Sequence, residues 1–283
     1  LTRDWQAGYL CAIEKTDQAM EDPLDLGIKG RKAIVCASSK GLGRGCAIKL
    51  AEAGVDLTLN ARSEGPLEET AQYIRDSYGV TVQTVAVDIT TEEGRNKVLA
   101  ACPDVDILVN NAGGPPPGVW SDWGQDEWQA AIQSNMLTPI LLATAVLPGM
   151  IARKWGRIVN ITSGSVKSPI AQLGLSNAAR AGLTGFVAGT ARQVARDGVV
   201  MNNLLPGQHD TDRIGVLMGN RAKTENITLD EARARAQAAL PTGKFGDPLD
   251  FGATCAFMCS EHASFMIGQN VLLDGGAFNS TMG

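Results

Sequence analysis

Two short stretches of this chain carry residue types whose spacing could do chemistry. The first reads Cys36-Ala37-Ser38-Ser39-Lys40-Gly41-Leu42-Gly43-Arg44-Gly45 and follows an apolar run that begins at Lys32. Glycines at these positions let the backbone turn tightly, so that N–H groups at a helix start can approach a phosphate. The second stretch, from Ser163 to Arg180, holds Ser163, Ser165, Lys167, Ser176 and Arg180. Ser176 and Arg180 lie four residues apart and so share one face of a helix. A guanidinium there can stabilise a developing oxyanion. It cannot give up its proton, and a serine hydroxyl is a very weak acid.

The elements that must hold these stretches can be read from periodicity. Strand-like runs at Lys32–Ala37, Val55–Asn60, Thr81–Val87, Ile107–Asn110, Arg157–Ile161, Val199–Leu205 and Asn270–Leu273 alternate with helical patterns, among them Leu67–Tyr78 and Thr91–Ala101. Such alternation predicts an α/β fold, a single doubly wound domain over residues 23–283. Its sheet is mostly parallel, seven-stranded, with helices on both faces. After Ser176, a stripe of Leu183, Phe186, Val187, Thr190, Ala191 and Val194 predicts a helix. Residues 208–247 interrupt the rhythm and carry a capping box at Thr228-Leu229-Asp230-Glu231. A long, partly helical insertion at the strand ends reads as a substrate lid. Residues 1–22 form an N-terminal extension, either a helix, a partner-contacting arm or a segment foreign to the fold, with Met20 an alternative start.

Composition narrows the function classes. A net charge of −5 over 283 residues argues against nucleic acid. The longest apolar run, Pro139 to Ala152, contains Pro148 and Gly149 and falls short of a membrane span. Cysteines stand at 11, 36, 46, 102, 255 and 259 without a CxxC pair, and the chain has only 2 histidines, so no metal site is expected. Scattered thiols and the lack of a secretory pattern suggest the cytoplasm.

Four further motifs accompany the glycine turn: Val87-Asp88-Ile89, Asn110-Asn111-Ala112-Gly113, Pro206-Gly207-Gln208-His209-Asp210-Thr211, and Leu273-Asp274-Gly275-Gly276. Together they resemble the short-chain dehydrogenase/reductase family over residues 28 to 278, and within it the 3-oxoacyl thioester reductases. Cys36 and Ala37 replace the Thr and first Gly of the family's TGxxxGxG. The resemblance implies a Rossmann domain that binds a nicotinamide dinucleotide. Ser39, Lys40, Gly41, Leu42 and Gly43 would line its phosphate turn, and Asn60, Arg62, Asp88 and Ile89 its adenosine end. Asn111, Ala112, Gly113, Arg180, Pro206, Gly207 and Thr211 would line its nicotinamide end. Charge then selects the cofactor. An NAD enzyme ends its second strand on a carboxylate, whereas here the strand ends Asn60-Ala61-Arg62, with Lys40 in the neighbouring turn. Two cations suit a 2′-phosphate, so NADP(H) is expected.

The family's catalytic pattern is broken. By resemblance Asn135 holds a helix kink and an ordered water, and Ser163 hydrogen-bonds the substrate oxygen. The family then has Tyr-x-x-x-Lys, but Ser176 and Arg180 occupy those two positions. A tyrosine phenol, with pKa near ~10, can be lowered by a neighbouring ammonium to serve as acid; a serine cannot. The proton must come from His209, Lys167 or water ordered by Ser163, Ser176 and Asn135. His209 is favoured because its turn abuts the nicotinamide end and imidazole titrates near neutrality. Two functions stand at this point. One is an NADPH-dependent oxidoreductase that reduces a carbonyl or an imine; the other is an NADP(H)-binding sensor or assembly protein with weak or no turnover. Trp120, Trp123, Ile214, Val216, Leu217 and Met218 either suggest a partly apolar small-molecule substrate or pack the lid shut. Helices at about 125–153 and 176–197, the latter with small residues Ala178, Ala181, Gly185 and Gly189, suggest a homodimer or homotetramer.

Overall fold

The computed structural model describes residues 24–281; the expectations for residues 1–22 lie outside them. Seven parallel strands are present: β1 Lys32–Val35, β2 Asp56–Ala61, β3 Val82–Ala86, β4 Ile107–Asn110, β5 Gly156–Ile161, β6 Val199–Pro206 and β7 Asn270–Leu273. They pair in the order β3-β2-β1-β4-β5-β6-β7. The central strands are buried along nearly their whole length, as a sheet covered on both faces requires. Between β1 and β4 the winding direction reverses, and a crevice opens at the strand C-termini. Both stretches with chemical potential end there.

Helices α1 Gly41–Glu52, α2 Glu64–Tyr78 and α3 Glu92–Ala101 follow the first three strands. Helices α4 Gln125–Ile132 and α5 Thr138–Ala152 are joined by a π-helical turn, Gln133–Leu137, and α6 spans Gly174–Val194. Two cores form on opposite faces of the sheet. One joins Leu50 of α1, Leu67 and Ile74 of α2, and Phe251. The other joins Val98 of α3, Leu142 and Met150 of α5, and Leu183 and Val187 of α6. Each such side chain contributes about 1.5–3 kcal/mol by leaving water. Phe251 belongs to α9, Pro248–Met258, which approaches α1 so closely that a Cβ on Gly45 would stand 2.1 Å from the Pro248 carbonyl oxygen.

The insertion folds into α7 Asp212–Glu225 and α8 Leu229–Ala238. The Thr228 hydroxyl accepts from the Glu231 N–H at 3.1 Å while the Glu231 carboxylate accepts from the Thr228 N–H at 2.9 Å, the expected capping box. Ile214, Met218, Ala222, Ala232, Ala236 and Leu240 close these helices on each other. Of the two readings of these residues, Ile214 and Met218 therefore take the second and pack the insertion itself, while Val216 is exposed.

The combined helix Gln125–Ala152 is, among the described residues, long and apolar enough by length and composition to cross a membrane, which the isolated apolar run did not suggest. Leu142, Val146 and Met150 tie one side of it to the sheet. Leu137 and Leu141 are exposed on it, as are Ala178, Ala181, Gly185 and Gly189 on α6.

Candidate active site

The glycine turn is shaped by contacts rather than by glycine alone. Ala37 adopts a φ of 48°, a left-handed conformation at the place of the family's first glycine. Its carbonyl accepts from the Asn111 amide at 3.3 Å, and a Cβ on Gly43 would stand only 2.2 Å from that carbonyl oxygen. The turn delivers the chain into α1, whose first turn contains no acid and whose N-cap, Lys40, makes no side-chain cap. Free N–H groups at an uncapped helix start, with Gly41 and Gly43 beside them, fit a pyrophosphate. Cys36, buried at the strand end, is no nucleophile: burial pushes its thiol up to about 12.

At the adenosine end the expected residues divide. Arg62 is exposed and makes no ion pair within 4.0 Å among the described residues, so its guanidinium is open to a phosphate. Lys40 is tied to Asp212 at 3.3 Å. Asp88 is held below the usual carboxylate range by the N–H and hydroxyl of Thr90, and Arg62 adds to the effect. Ile89 is buried. Ser39 is half-buried and its carbonyl accepts from the Thr70 hydroxyl. Asn60 is different: its amide donates to the Val85 and Val87 carbonyls at 2.9 and 3.1 Å inside the sheet edge. That donor is already used, which corrects its placement as an open cofactor ligand.

At the chemical end, β5 leads to Ser163, and α6 lays Ser176 and Arg180 against the same strand terminus. Both are only 6% exposed. Arg180 Nε donates to Ser176 Oγ at 3.2 Å and Nη1 donates to the Ile161 carbonyl at 2.8 Å. With a lone pair so occupied, Ser176 keeps its O–H to donate. No carboxylate pairs with Arg180 among the described residues, and burial, with Arg213 adding to it, pushes its pKa down to about 10. It stays cationic at neutral pH, with three of its five N–H groups free of these bonds.

Arg180 borders a cavity of ≈ 20 Å³, room for about one water, together with Asn110, Asn111, Asn135 and Ser134. Asn135 sits in the π turn, where its amide donates to Ser134 Oγ at 2.7 Å. The side-chain oxygens of Asn110 and Asn135 are buried without a partner, as expected of groups that bond an ordered water. Ser163 Oγ accepts from the Ser165 N–H at 3.1 Å.

His209 does not face this cavity. It is 6% exposed and edge-on to Phe251 at 5.0 Å. A Cβ on Gly246 would stand 2.6 Å from its ring. Burial pushes its pKa below the ordinary histidine value, so it is neutral where the expected role needs an acid. The favoured proton donor of the sequence is thus corrected to a core residue. Gly207 is closely packed, since a Cβ there would stand 2.6 Å from Asp274. Pro206 ends β6, and Thr211 precedes α7 with its hydroxyl donating to the His209 carbonyl at 3.4 Å. Ala112 is half-buried and Gly113 exposed at the crevice. Lys167 lies with Nζ 6.0 Å from the Phe278 ring centroid.

One residue escaped the sequence reading. Arg213 donates to the carbonyls of Gly114 at 3.4 Å and Pro115 at 3.2 Å, bridging the loop after β4 and the start of α7. Its place two residues beyond Thr211 was the available signal.

A family model described as short chain dehydrogenase matches residues 31–219. The 3-oxoacyl-[acyl-carrier-protein] reductase FabG of Vibrio cholerae is 34% identical over 259 residues, covering 89% of this chain and 99% of that protein. An uncharacterized oxidoreductase, YvaG of Bacillus subtilis, is 29% identical and covers 91% of this chain and 99% of its own length. Among solved structures, L-sorbose reductase from Gluconobacter frateurii, complexed with NADPH and L-sorbose, superposes with a TM-score of 0.86 at 28% identity, over 91% of this chain and all of that one. YwfH, an NADPH dependent reductase involved in bacilysin biosynthesis, gives a TM-score of 0.84 at 26% identity, over 89% of this chain and 100% of its own.

Proposed function

The chain belongs to the short chain dehydrogenase family, and on that premise we propose that it is an NADPH-dependent oxidoreductase reducing a carbonyl or an imine, with water rather than tyrosine as the proton source. The observation that carries this reading is Ser176 bonded to a buried, unpaired guanidinium beside a water-sized polar cavity. The cofactor supplies a hydride; everything else falls to the chain. The start of α1 and Arg62 hold phosphates, and Arg180 offers N–H groups to the ribose and to the developing oxyanion. Ser163 and Ser176 donate to the reacting oxygen, and Asn135 orders the water that replaces its proton. Lys167 is the remaining side-chain donor. An imine that arrives protonated needs no acid, which suits this site. Helices α7 and α8 serve as the lid within a single domain, 23–283.

The test is NADPH oxidation against a panel of ketones and imines, run beside cofactor-binding fluorescence. Turnover that survives Lys167→Ala and falls in Ser163→Ala supports water delivery. Binding without turnover of any panel member favours a second reading, a cofactor-binding sensor or assembly protein, which the withdrawal of His209 into the core supports.

The exposed small-residue face of α6 and Leu137 and Leu141 beside it support assembly as a dimer or tetramer. A concentration-independent monomer in sedimentation velocity would refute that. Five buried free thiols support a cytoplasmic setting.

A further inference from the structure

Positive charge at the crevice is left without an acid, and the nearby acids explain why. In the run Asp210-Thr211-Asp212-Arg213, Asp210 pairs with Arg233 at 2.8 Å and Asp212 pairs with Lys40 at 3.3 Å. Both carboxylates point outward. Arg213 itself is bonded to two carbonyls, and Arg180 to a hydroxyl and a carbonyl; neither has an acidic partner among the described residues.

Sheet order fixes where these two cations lie. Arg213 ties the loop after β4 to the segment after β6, and β5 runs between those strands. Arg213 is exposed at the C-terminal ends of these strands, the end at which the chain leaves β5 for Ser163. Arg180 grips the last carbonyl of the same strand, Ile161, from α6. Arg180 bonds Ser176 and lines a cavity with Asn111 and Ala112, and Arg213 bonds Gly114 and Pro115 of the same loop. That Arg213 helps push the Arg180 pKa down shows that their fields overlap. A buried arginine with unspent donors is costly unless an anion or several hydrogen bonds satisfy it. The cofactor ribose is neutral, so it offers hydrogen bonds but no charge.

We propose that this site takes an anionic substrate, a ketone or imine bearing a carboxylate next to the reacting carbon, with Arg213 binding the carboxylate and Arg180 the reacting oxygen. This rests on the reductase reading for its chemistry but not for its binding. In the ketone case the carbonyl carbon gains the hydride of NADPH and the C=O π pair moves to oxygen. That oxygen takes a proton from water, which leaves a 2-hydroxy acid, NADP⁺ and a hydroxide that bulk solvent neutralises. Arg213 presents a planar fork suited to a carboxylate, and its two carbonyl bonds are long enough to be exchanged for a charged partner.

Three matched pairs test it: pyruvate with acetone, 4-methyl-2-oxopentanoate with 4-methyl-2-pentanone, and phenylpyruvate with phenylacetone. Each acid differs from its ketone by a carboxylate in place of a methyl group. At least one acid should be reduced with kcat/KM about 30-fold or more above its ketone. Arg213→Gln should shrink that ratio about tenfold, and Arg213→Lys should restore part of it. Independently of turnover, calorimetric titration of the same acid into protein saturated with NADP⁺ should show affinity about tenfold weaker in Arg213→Gln, with NADP⁺ affinity unchanged. Equal use of acid and ketone in every pair overturns the proposal. So does an Arg213→Gln protein that loses NADP⁺ affinity and keeps the ratio, since the cation would then serve cofactor phosphate. Acid binding that depends on Arg213 without reduction of any compound would sustain the anion site while refuting the reductase reading.

Discussion

The two ends of β5 each hold a buried arginine, and the two are treated in opposite ways. Arg157, at the N-terminal end, is 2% exposed and has four of its five N–H groups engaged. It donates to the carbonyls of Ser260, Gly156 and Gly198, pairs with Glu261 at 3.3 Å and stacks 4.4 Å from the Trp155 ring centroid. Arg180, at the C-terminal end, is almost as buried but has one hydroxyl, one carbonyl and no acid. A buried charge that a fold needs only for itself is neutralised and hydrogen-bonded in place. One left partly unsatisfied costs stability that only a bound partner restores. On the function proposed above, the difference separates a charge that builds the molecule from a charge kept for a ligand.

Substitution at each end should break this symmetry in opposite directions. The largest effect expected is on turnover: Arg180→Met should lower kcat by ~10²–10³-fold, the usual cost of removing one oxyanion donor. Its stability should change by less than about 1 kcal/mol, or increase, because an unpaired buried charge is gone. Urea unfolding beside steady-state kinetics reads both, and a large loss of stability would make Arg180 another Arg157. Next, Arg157→Met should cost about 2–4 kcal/mol in the same unfolding experiment while turnover per folded molecule stays unchanged. A catalytic loss there would blur the two ends.

Smaller effects sharpen the contrast between exposed and buried groups. Arg62→Ala should weaken NADPH about tenfold, roughly 1.4 kcal/mol, and leave NADH within about twofold; equal losses for both cofactors would remove the 2′-phosphate assignment. His209→Gln should leave kcat within about threefold, since the ring faces Phe251. Its signature is in stability against pH. The folded pKa lies below the unfolded one, so between them the unfolded chain binds more protons and stability falls with acidification. That loss begins as the pH drops through the ordinary histidine range near ~6.5 and has a slope of at most about 1.4 kcal/mol per pH unit. His209→Gln should flatten it, whereas a large kcat loss would return the imidazole to the mechanism.

Local pattern carried the fold. The β4 and β7 bounds match the structure residue for residue, and the others shift by one or two positions, because buried parallel strands read as unbroken apolar runs. Position along the chain also carried the Ser176–Arg180 contact, since i,i+4 spacing on a helix is a distance. What sequence could not show was direction in space. His209 and Thr211 are two residues apart in one turn, yet the imidazole packs inward on Phe251, 42 residues on, while Thr211 leads into α7. Asn60 looked like a strand-end ligand, but its amide bridges to carbonyls of the next strand. The Arg213 contact joins residues 99 and 98 apart, and its place two residues beyond Thr211 was a signal for the residue but not for its partners.

The left-handed turn at Ala37 also bears on the order in which the molecule assembles. Alanine does not favour that conformation, and the bond that holds it comes from Asn111, 74 residues downstream. The turn proposed to receive phosphates is therefore not a property of the first β–α–β unit. Closing it must await β4, and contacts that span so much chain form late. A fragment that stops at Tyr78 should carry the whole glycine motif and still fail to retain a dinucleotide in equilibrium dialysis. Phosphate binding at this turn would belong to the completed sheet, and in a growing chain it would mark the end of folding of this half rather than its beginning.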